Sequence, residues 1–253
     1  MAKIDLRKSA GIPLAYNGTD LQPQGLKFKN VLNIDIDEIR PQLLNKSLSC
    51  PENFYRKWES LDGENIFSER NLSVDFYTIQ PNLAGIEYVK TIAAKCDKYP
   101  RIIEAVYGGG IVLIQKYNSA EDNTVLKRIL KKGEKVIIPG DFTYTIINTR
   151  QNSNLIAAEI SYKKSSSQKV LDENNGMAYY VIRKNAKQEI VRNPYYKVVN
   201  KIEKTDWEKV LQDKGITPRT PIIRQILRNY EKYTWLFEKN TDILRSEEHT
   251  SEL

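Results

Sequence analysis

The chain has 253 residues, of which 40% are hydrophobic and 28% are charged, a composition typical of a globular protein rather than a disordered one. Its formal net charge is +7, but no block of basic residues falls on one predicted element, so we expect no nucleic-acid partner. No stretch approaches the roughly 20 apolar residues of a membrane span, and the N-terminus lacks the apolar run of a signal peptide. The two cysteines, Cys50 and Cys96, do not suggest a disulfide framework. We therefore expect a cytoplasmic protein that does not enter a membrane.

Residues 1–70 are predicted to form a mixed N-terminal lead-in with short helices. The stretch DIDEIRPQLL, residues 35–44, predicts a short helix crossed by Pro41. The stretch SCPENFYRKWESL, residues 49–61, predicts a second helix, because Ser49 precedes Glu52 by three residues as in a capping box. Pro51 falls in the first turn of that helix, where proline is tolerated.

Residues 71–200 show the pattern of short strands separated by turns. The stretch RIIEAVYGGGIVLIQKY, residues 101–117, predicts a hairpin around three consecutive glycines. A last hairpin is predicted in MAYYVIRKNAKQEIV, residues 177–191, with its turn at residues 184–187. Seven or more short strands with almost no helix between them predict a mainly β, antiparallel barrel or sandwich.

Residues 201–244 are predicted to form a helical C-terminal extension. One helix runs from Asp206 to Lys214 and ends at a glycine. A second follows Pro221 and carries apolar residues at helical spacing: Ile223, Ile226, Leu227, Tyr230, Tyr233 and Phe237. This stripe packs either on its own domain or on a partner chain.

The last nine residues, RSEEHTSEL at 245–253, resemble the translation of a sequencing-library adapter. We expect the genuine sequence to stop near Leu244, with the native C-terminus missing, and exclude the segment from the fold. The only histidine, His249, lies within it. A mechanism that needs an imidazole base or ligand is therefore not expected.

The stretch KKGEKVIIPGDFTYTIINTR, residues 131–150, matches the spacing of the second cupin motif. Gly133, Pro139 and Asn148 stand at motif positions, whereas Asp141 replaces the motif's second glycine and Tyr144 replaces its histidine. Three further features are similar to one family: the 101–115 stretch, the INT that follows the motif, and the late hairpin ending in NPYYK. On these features, residues 73–197 resemble the cupin-type glucose-6-phosphate isomerases. The resemblance implies a jelly-roll cupin barrel flanked by the N-terminal and C-terminal helices, and it suggests a homodimer.

The resemblance also implies an activity, the conversion of glucose 6-phosphate to fructose 6-phosphate, with a divalent metal such as Fe, Mn or Zn. The family holds this metal with three histidines and a glutamate. Aligned on the glycine hairpin, Ile92 and Ala94 stand at two histidines, Arg101 at the glutamate and Tyr144 at the last histidine. Because these residues cannot ligate a metal as a set, we expect no metal cofactor and the loss of metal-dependent activity. Glu104 is near, but its strand parity turns it to the opposite face unless a bulge intervenes.

Three functions stay open on this reasoning. In one hypothesis, four side chains converge and bind an anionic sugar or sugar phosphate: Arg101, Tyr144, Lys90 and Tyr88. In a second hypothesis, the protein is a structural, dimeric scaffold. Its interior is then a dry core filled by Phe142, Ile146, Ile103, Ile92 and Ala94. A third leaves some isomerase catalysis. Cys96 is expected to be inert without a histidine partner.

Overall fold

The computed structural model describes residues 3–117, 123–169, 176–239 and 244. The N-terminal elements are β1 (Ile4–Asp5), α1 (Arg7–Ala10), β2 (Leu14–Tyr16), β3 (Leu21–Pro23), β4 (Asn30–Asp35), α2 (Ile36–Ile39), a 3-10 helix (Arg40–Gln42), β5 (Asn53–Glu59) and a second 3-10 helix (Ser68–Arg70). The helix predicted within residues 35–44 is confirmed. The Asp35 carboxylate caps α2 by accepting hydrogen bonds from the Asp37 and Glu38 amides.

Short strands dominate the central region, as predicted. They are β6 (Leu72–Ile79), β7 (Leu83–Ala84), β8 (Glu87–Tyr88), β9 (Ala94–Cys96), β10 (Arg101–Tyr107), β11 (Gly109–Tyr117), β12 (Asn123–Lys131), β13 (Lys135–Ile138), β14 (Thr143–Asn148), β15 (Leu155–Tyr162), β16 (Ser167–Lys169), β17 (Tyr179–Lys184) and β18 (Lys187–Arg192). The late hairpin is confirmed, since β17 and β18 pair in antiparallel register and turn where the sequence predicted.

Two six-stranded sheets face each other and enclose the main core. The first has the strand order β13-β10-β15-β6-β5-β4, and the second contains β16-β9-β14-β11-β12 with a last strand, β19 (Ile202–Glu203), at its edge. Apolar side chains from both sheets fill the space between them, among them Ile103, Ala157, Val112 and Ile146. This arrangement confirms the predicted mainly β, antiparallel fold of jelly-roll type.

The first sheet buries its outer face as well. Val74, Phe76 and Ile156 pack there against the N-terminal segment and against the C-terminal elements α3 (Trp207–Asp213), α4 (Ile222–Arg228) and a 3-10 helix (Tyr230–Phe237). The predicted apolar stripe therefore docks on its own domain, with Ile223, Ile226 and Tyr233 buried. None of the helices in the described part of the chain has the length and hydropathy of a membrane-spanning segment. The predicted adapter-derived tail, residues 245–253 with His249, lies outside the described residues.

The helix predicted over residues 49–61 is wrong, because this segment forms β5. Strand β5 pairs with β6 in antiparallel register, and its Phe54, Tyr55 and Trp58 are buried. Tyr55 joins the core between the sheets and Trp58 the core on the outer face. Burial of aromatic side chains on both faces of a sheet overrides the local capping signal. The strand also ties the N-terminal lead-in to the barrel across the predicted boundary at residue 70.

The hairpin predicted over residues 101–117 is also wrong, because β10 and β11 belong to opposite sheets. Strand β10 pairs with β13 and β15, whereas β11 pairs with β12 and β14. The chain crosses between the sheets at Gly108, whose φ is +74° and where an added Cβ would stand 2.4 Å from the Asn154 carbonyl oxygen. The glycines therefore make a corner of the sandwich rather than a two-strand turn.

Candidate functional site

Strands β9, β10, β14 and β15 bring the predicted site positions together at one end of the interior. Ala94 and Tyr144 are paired across β9 and β14, and Arg101 begins β10. Arg101 and Tyr144 both point at Glu159 of β15, which is 1% exposed. The sequence thus predicted two of the three residues that meet here and missed the carboxylate between them.

Three donors hold the Glu159 carboxylate. Arg101 Nη1 lies 2.5 Å from Oε1, and the hydroxyls of Tyr144 and Tyr77 donate to Oε2 at 2.6 and 3.0 Å. Arg101 Nη2 also donates to the Ser166 carbonyl oxygen at 2.6 Å. A buried charge is tolerated when it is paired and hydrogen-bonded, and this network satisfies both oxygens of the carboxylate.

Electrostatics keep the network in one protonation state. Burial alone would raise the pKa of Glu159, but Arg101 and Lys57 outweigh burial and the pKa is lowered, so the carboxylate is ionised. Burial and then the Glu159 charge raise the pKa of Tyr144 and Tyr77 well above the usual value, so both phenols are neutral. The set therefore contains a fixed cation, a fixed anion and two neutral hydroxyls.

A second charged group lies toward the open end of the interior. Lys57 Nζ is 3.0 Å from both Glu59 Oε1 and Asp75 Oδ2. Burial disfavours the ammonium, but the carboxylates of Asp75 and Glu159 outweigh it and raise the pKa of Lys57. Lys57 is therefore a cation, and burial raises the pKa of Asp75 despite this neighbour.

A cavity of about 180 Å³ opens above these groups, between the edge strands β4 and β16 of the two sheets. We call it the mouth cavity, and it is lined by Leu32, Ile34, Tyr55, Lys57, Glu59, Tyr77, Thr91, Ile92, Ala94, Tyr144, Ser167 and Lys169. Three of the four positions that match the family's metal ligands, Ile92, Ala94 and Tyr144, therefore face one cavity. Ile92 and Ala94 were also predicted as dry core, together with Phe142, Ile146 and Ile103. All five pack in the apolar cluster between the two sheets.

Lys90 and Tyr88 do not join this site. Lys90 Nζ donates to the Gln42 carbonyl oxygen at 2.7 Å, forms a short ion pair with Glu87 and lies 4.8 Å from the centre of the Tyr180 ring. Tyr88 packs in a different apolar cluster, on the outer side of the second sheet. The predicted convergence of four residues is therefore seen only for Arg101 and Tyr144.

The residues at the family's metal positions do not fit a divalent metal. Ile92 and Ala94 offer no lone pair, and the Arg101 guanidinium is a cation whose pKa is raised further by Glu159 in spite of burial. The Glu159 oxygens are already bound by three donors. Within the described ranges, histidine, cysteine and carboxylate side chains form no group of three that could hold a metal ion.

The remaining motif residues are structural. Asn148 is buried and donates to the Ile79 and Ser153 carbonyl oxygens at 2.9 and 3.0 Å. Asp141 replaces a glycine of the motif and keeps the backbone conformation that favours glycine, with φ at +65°. Glu104 faces the outer side as its parity predicted, and its carboxylate pairs with Lys135 at 3.1 Å. The matches to the cupin motif therefore indicate the fold and not a catalytic activity.

The two cysteines lie in different environments. Both are free thiols, with Cys50 exposed and Cys96 buried. Burial raises the pKa of Cys96 to about 12 although Arg101 is near. A thiol in this environment is protonated at neutral pH and is a poor nucleophile.

Sequence reasoning missed Glu159, Tyr77, Lys57 and Asp75. The available signal was a single charged residue within an apolar strand, as in LIAAEISY (155–162) and LSVDFYTI (72–79). A charge in such a run is expected to face a partner inside the fold. The pairing of β6, β15 and β10 then brings these charges to one end of the interior.

Comparison with protein families adds the decisive observation. The family described as glucose-6-phosphate isomerase (GPI) matches residues 50–198, which is more than half of the chain. The chain belongs to the glucose-6-phosphate isomerase family. No curated protein matches it. The match contains β5 to β18 and all the residues of the Glu159 network.

Among solved structures, similar chains include two vicilins and a coconut allergen. Vicilin from Corylus avellana is 19% identical over 51% of this chain and 35% of its own, and vicilin from Capsicum annuum is 14% identical over 51% and 34%. The coconut allergen cocosin is 13% identical over 81% and 46%, and the TM-score is 0.38 in all three cases. The chain spans between a third and a half of the length of these structures. TM-scores at this level are too low to support an inference about the present chain.

Proposed function

We propose that this member of the glucose-6-phosphate isomerase family binds a small anionic sugar, a sugar phosphate or sugar acid, in the mouth cavity without isomerising it. The observation that carries the proposal is the lining of that cavity. Its two ammonium groups are Lys57, which is bound to Glu59 and Asp75, and Lys169, whose ion pair with Glu38 is partly exposed. Its available hydroxyls are those of Tyr55, Thr91 and Ser167, because the Tyr77 and Tyr144 hydroxyls are bound to Glu159. Such a surface complements a ligand with several hydroxyls and a negative charge.

The size of the cavity limits the ligand. Pockets for drug-sized molecules have volumes of about 300–1,000 Å³, whereas the mouth cavity has about 180 Å³. A monosaccharide matches it better than a nucleotide or an oligosaccharide. Leu32, Ile34 and Ile92 supply apolar surface for the C–H face of a sugar ring.

Lys169 is the cation best placed to bind the anionic group. Its ammonium lies 3.0 Å from Glu38, and both side chains are partly exposed, at 50% and 38%. An exposed ion pair contributes little to stability, so a phosphate or carboxylate can replace Glu38 at small cost. Arg101, which the sequence favoured for this role, is bound to Glu159 beneath the cavity.

The same geometry argues against isomerisation. Moving a hydrogen between two sugar carbons requires a base and an electrophile near them. Glu159 is the nearest carboxylate below the cavity, but its lowered pKa and its three donors leave it a weak base. Ile92 and Ala94 supply neither a base nor an electrophile.

The test combines binding and turnover on the full chain. Calorimetric titration with glucose 6-phosphate, fructose 6-phosphate and 6-phosphogluconate is expected to give saturable binding to at least one of them. Lys169→Gln is expected to weaken that binding by about tenfold, the loss of one charge-assisted hydrogen bond. The control is Lys187→Gln, an exposed lysine of β18 that lies away from the cavity.

Conversion of fructose 6-phosphate to glucose 6-phosphate is measured in parallel, with and without Fe(II), Mn(II) or Zn(II). No turnover together with binding supports the proposal. Turnover in either condition contradicts the non-catalytic part of the proposal. The absence of binding to all three sugars contradicts the binding part and favours the structural scaffold. The homodimer and the cytoplasmic location remain predictions.

A further inference from the structure

A second cavity, larger than the mouth cavity, lies between the N-terminal three-stranded sheet, formed by β1, β2 and β3, and the strands β5 and β6 of the first six-stranded sheet. Its volume is about 390 Å³, within the range of about 300–1,000 Å³ typical of ligand pockets. We call it the outer cavity. It is lined by Tyr16, Gly18, Thr19, Asn53, Tyr55, Arg56, Thr78, Gln80, Pro81, Asn152, Ser153 and Asn154.

The outer cavity is rich in carboxamides. Four of its lining residues are asparagine or glutamine: Asn53, Gln80, Asn152 and Asn154. A carboxamide offers a donor and an acceptor on one side chain, which is the combination that a sugar hydroxyl needs. Tyrosine, threonine and serine hydroxyls add further groups of the same kind.

The charge of the outer cavity is compensated. Its single charged lining residue, Arg56, donates to Asp20 Oδ1 at 2.8 Å and to the Thr19 carbonyl oxygen at 3.2 Å. The lining of the mouth cavity in contrast includes two ammonium groups, and the ion pair of one of them, Lys169, is partly exposed. The outer cavity therefore favours a neutral ligand over an anionic one.

The walls are held in place by hydrogen bonds behind the lining. Tyr16, 4% exposed, donates to the Gly18 carbonyl oxygen at 2.6 Å and accepts from Asn154 Nδ2. Thr78, 6% exposed, accepts from Trp58 Nε1 at 3.2 Å. These contacts fix one side of the cavity before any ligand binds, which lowers the cost of ordering it.

Two other carboxamides of the lining are available for a ligand. In the part of the chain that the structure describes, the side chains of Asn53 and Asn152 have no hydrogen-bond partner, and both are exposed. The Tyr16 and Tyr55 rings and Pro81 add apolar surface to the same cavity. Polar groups together with aromatic surface match the two kinds of face that a sugar ring presents.

We infer that the outer cavity is a binding site for a neutral saccharide of one or two sugar units, distinct from the anionic-sugar site at the mouth although Tyr55 lines both cavities. The site is built from residues on both sides of the boundary between the N-terminal lead-in and the barrel. It thus assigns a function to the N-terminal three-stranded sheet, whose Tyr16 forms part of its wall.

The test is saturation-transfer difference NMR on the full chain with maltose, trehalose and methyl α-glucoside as probes. At least one probe is expected to give a saturable signal, and the double variant Asn53→Ala and Asn152→Ala is expected to weaken that binding by about tenfold or more. The control is Asn33→Ala, an exposed asparagine on edge strand β4 that lines neither cavity.

Addition of glucose 6-phosphate separates the two sites. An unchanged maltose signal supports a distinct outer site, whether or not glucose 6-phosphate itself binds at the mouth. Displacement of maltose by glucose 6-phosphate, or a maltose affinity that the double variant does not change, overturns the inference. The absence of a saturable signal with all three probes overturns it as well.

Discussion

Strand β10 carries two buried ion pairs, one on each face of the first sheet, and their surroundings differ. On the inner face, Arg101 pairs with Glu159, and two tyrosine hydroxyls donate hydrogen bonds to the same carboxylate. On the outer face, Glu104 pairs with Lys135 and accepts from the Ile222 amide at 2.8 Å, which joins the C-terminal extension to the barrel.

The two carboxylates respond to burial in opposite ways. The pKa of Glu159 is lowered, because Arg101, Lys57 and the hydrogen bonds outweigh burial. Burial raises the pKa of Glu104 to about 7, and Lys135 and the Ile222 amide only partly oppose this shift. The two carboxylates are both buried and differ in the cations near them, two for Glu159 and one for Glu104, and this difference accounts for the opposite directions of their pKa shifts.

The largest expected effect is on the inner pair. Glu159→Ala leaves the Arg101 charge buried and two tyrosine hydroxyls without their acceptor, so we expect a loss of about 3–5 kcal/mol in the free energy of unfolding. Urea denaturation measures it. The exposed Glu69→Ala is the control, with an expected change within about 0.5 kcal/mol.

The double variant Arg101→Met and Glu159→Leu tests the cause of that loss. Removing both charges removes the unpaired ion, and most of the stability is expected to return. If the double variant is as unstable as Glu159→Ala, packing rather than charge pairing explains the inner site.

A smaller effect is expected on the outer pair. Glu104→Ala leaves Lys135 Nζ and the Ile222 amide without one acceptor, and the expected cost is about 1–3 kcal/mol. Lys135 keeps its hydrogen bonds to the Gly133 and Pro218 carbonyl oxygens, which limits the loss. Limited proteolysis is expected to cut the C-terminal extension faster in this variant.

Glu104→Gln serves as the matched control, because its amide oxygen still accepts from Ile222. Equal proteolysis of Glu104→Ala and Glu104→Gln would show that the hydrogen bond to α4 does not anchor the extension.

The pH dependence of stability distinguishes the two pairs. In the folded state burial raises the pKa of Glu104 to about 7, above the usual value of 4.5 in an unfolded chain. The folded state therefore holds more protons between these values, and the contribution of Glu104 to stability falls as pH rises from about 4.5 to 7, by up to about 3 kcal/mol. Glu159 has a lowered pKa, so its contribution is complete above about 4.5 and is lost as pH falls below that value.

The measurement is the difference in unfolding free energy between the wild type and Glu104→Gln across that pH range. A difference that does not vary between pH 4.5 and 7 would mean that Glu104 is ionised throughout, as the 3.1 Å contact with Lys135 alone would suggest.

The sequence allowed the fold to be predicted further than the site. Strand periodicity and the turn residues at Gly133 and Pro139 predicted the jelly roll, because these signals are local. The crossing at Gly108 and the strand at residues 53–59 were not predictable in this way, since sheet membership and aromatic burial depend on distant strands. Arg101 and Tyr144 were predicted through the family motif, whereas Glu159 approaches them from β15, 58 residues after Arg101. Lys90 has the strand parity of Ile92 and Ala94, but its ammonium group binds the Gln42 carbonyl oxygen of the N-terminal lead-in.

The smallest expected effect is on the rate at which a buried cysteine reacts with a thiol reagent. This rate tests whether the interior beside the Arg101–Glu159 pair is closed to solvent. Cys96 lies in the interior near Arg101, and burial raises its pKa to about 12, whereas Cys50 is exposed. Because the thiolate is the reactive form, a disulfide reagent such as DTNB at pH 8 is expected to modify one thiol per chain quickly. The second thiol reacts only at the rate of unfolding. Cys50→Ser is expected to remove the fast phase and leave the slow one. A fast reaction of Cys96 in that variant would mean that the interior beside the Arg101–Glu159 pair opens to solvent.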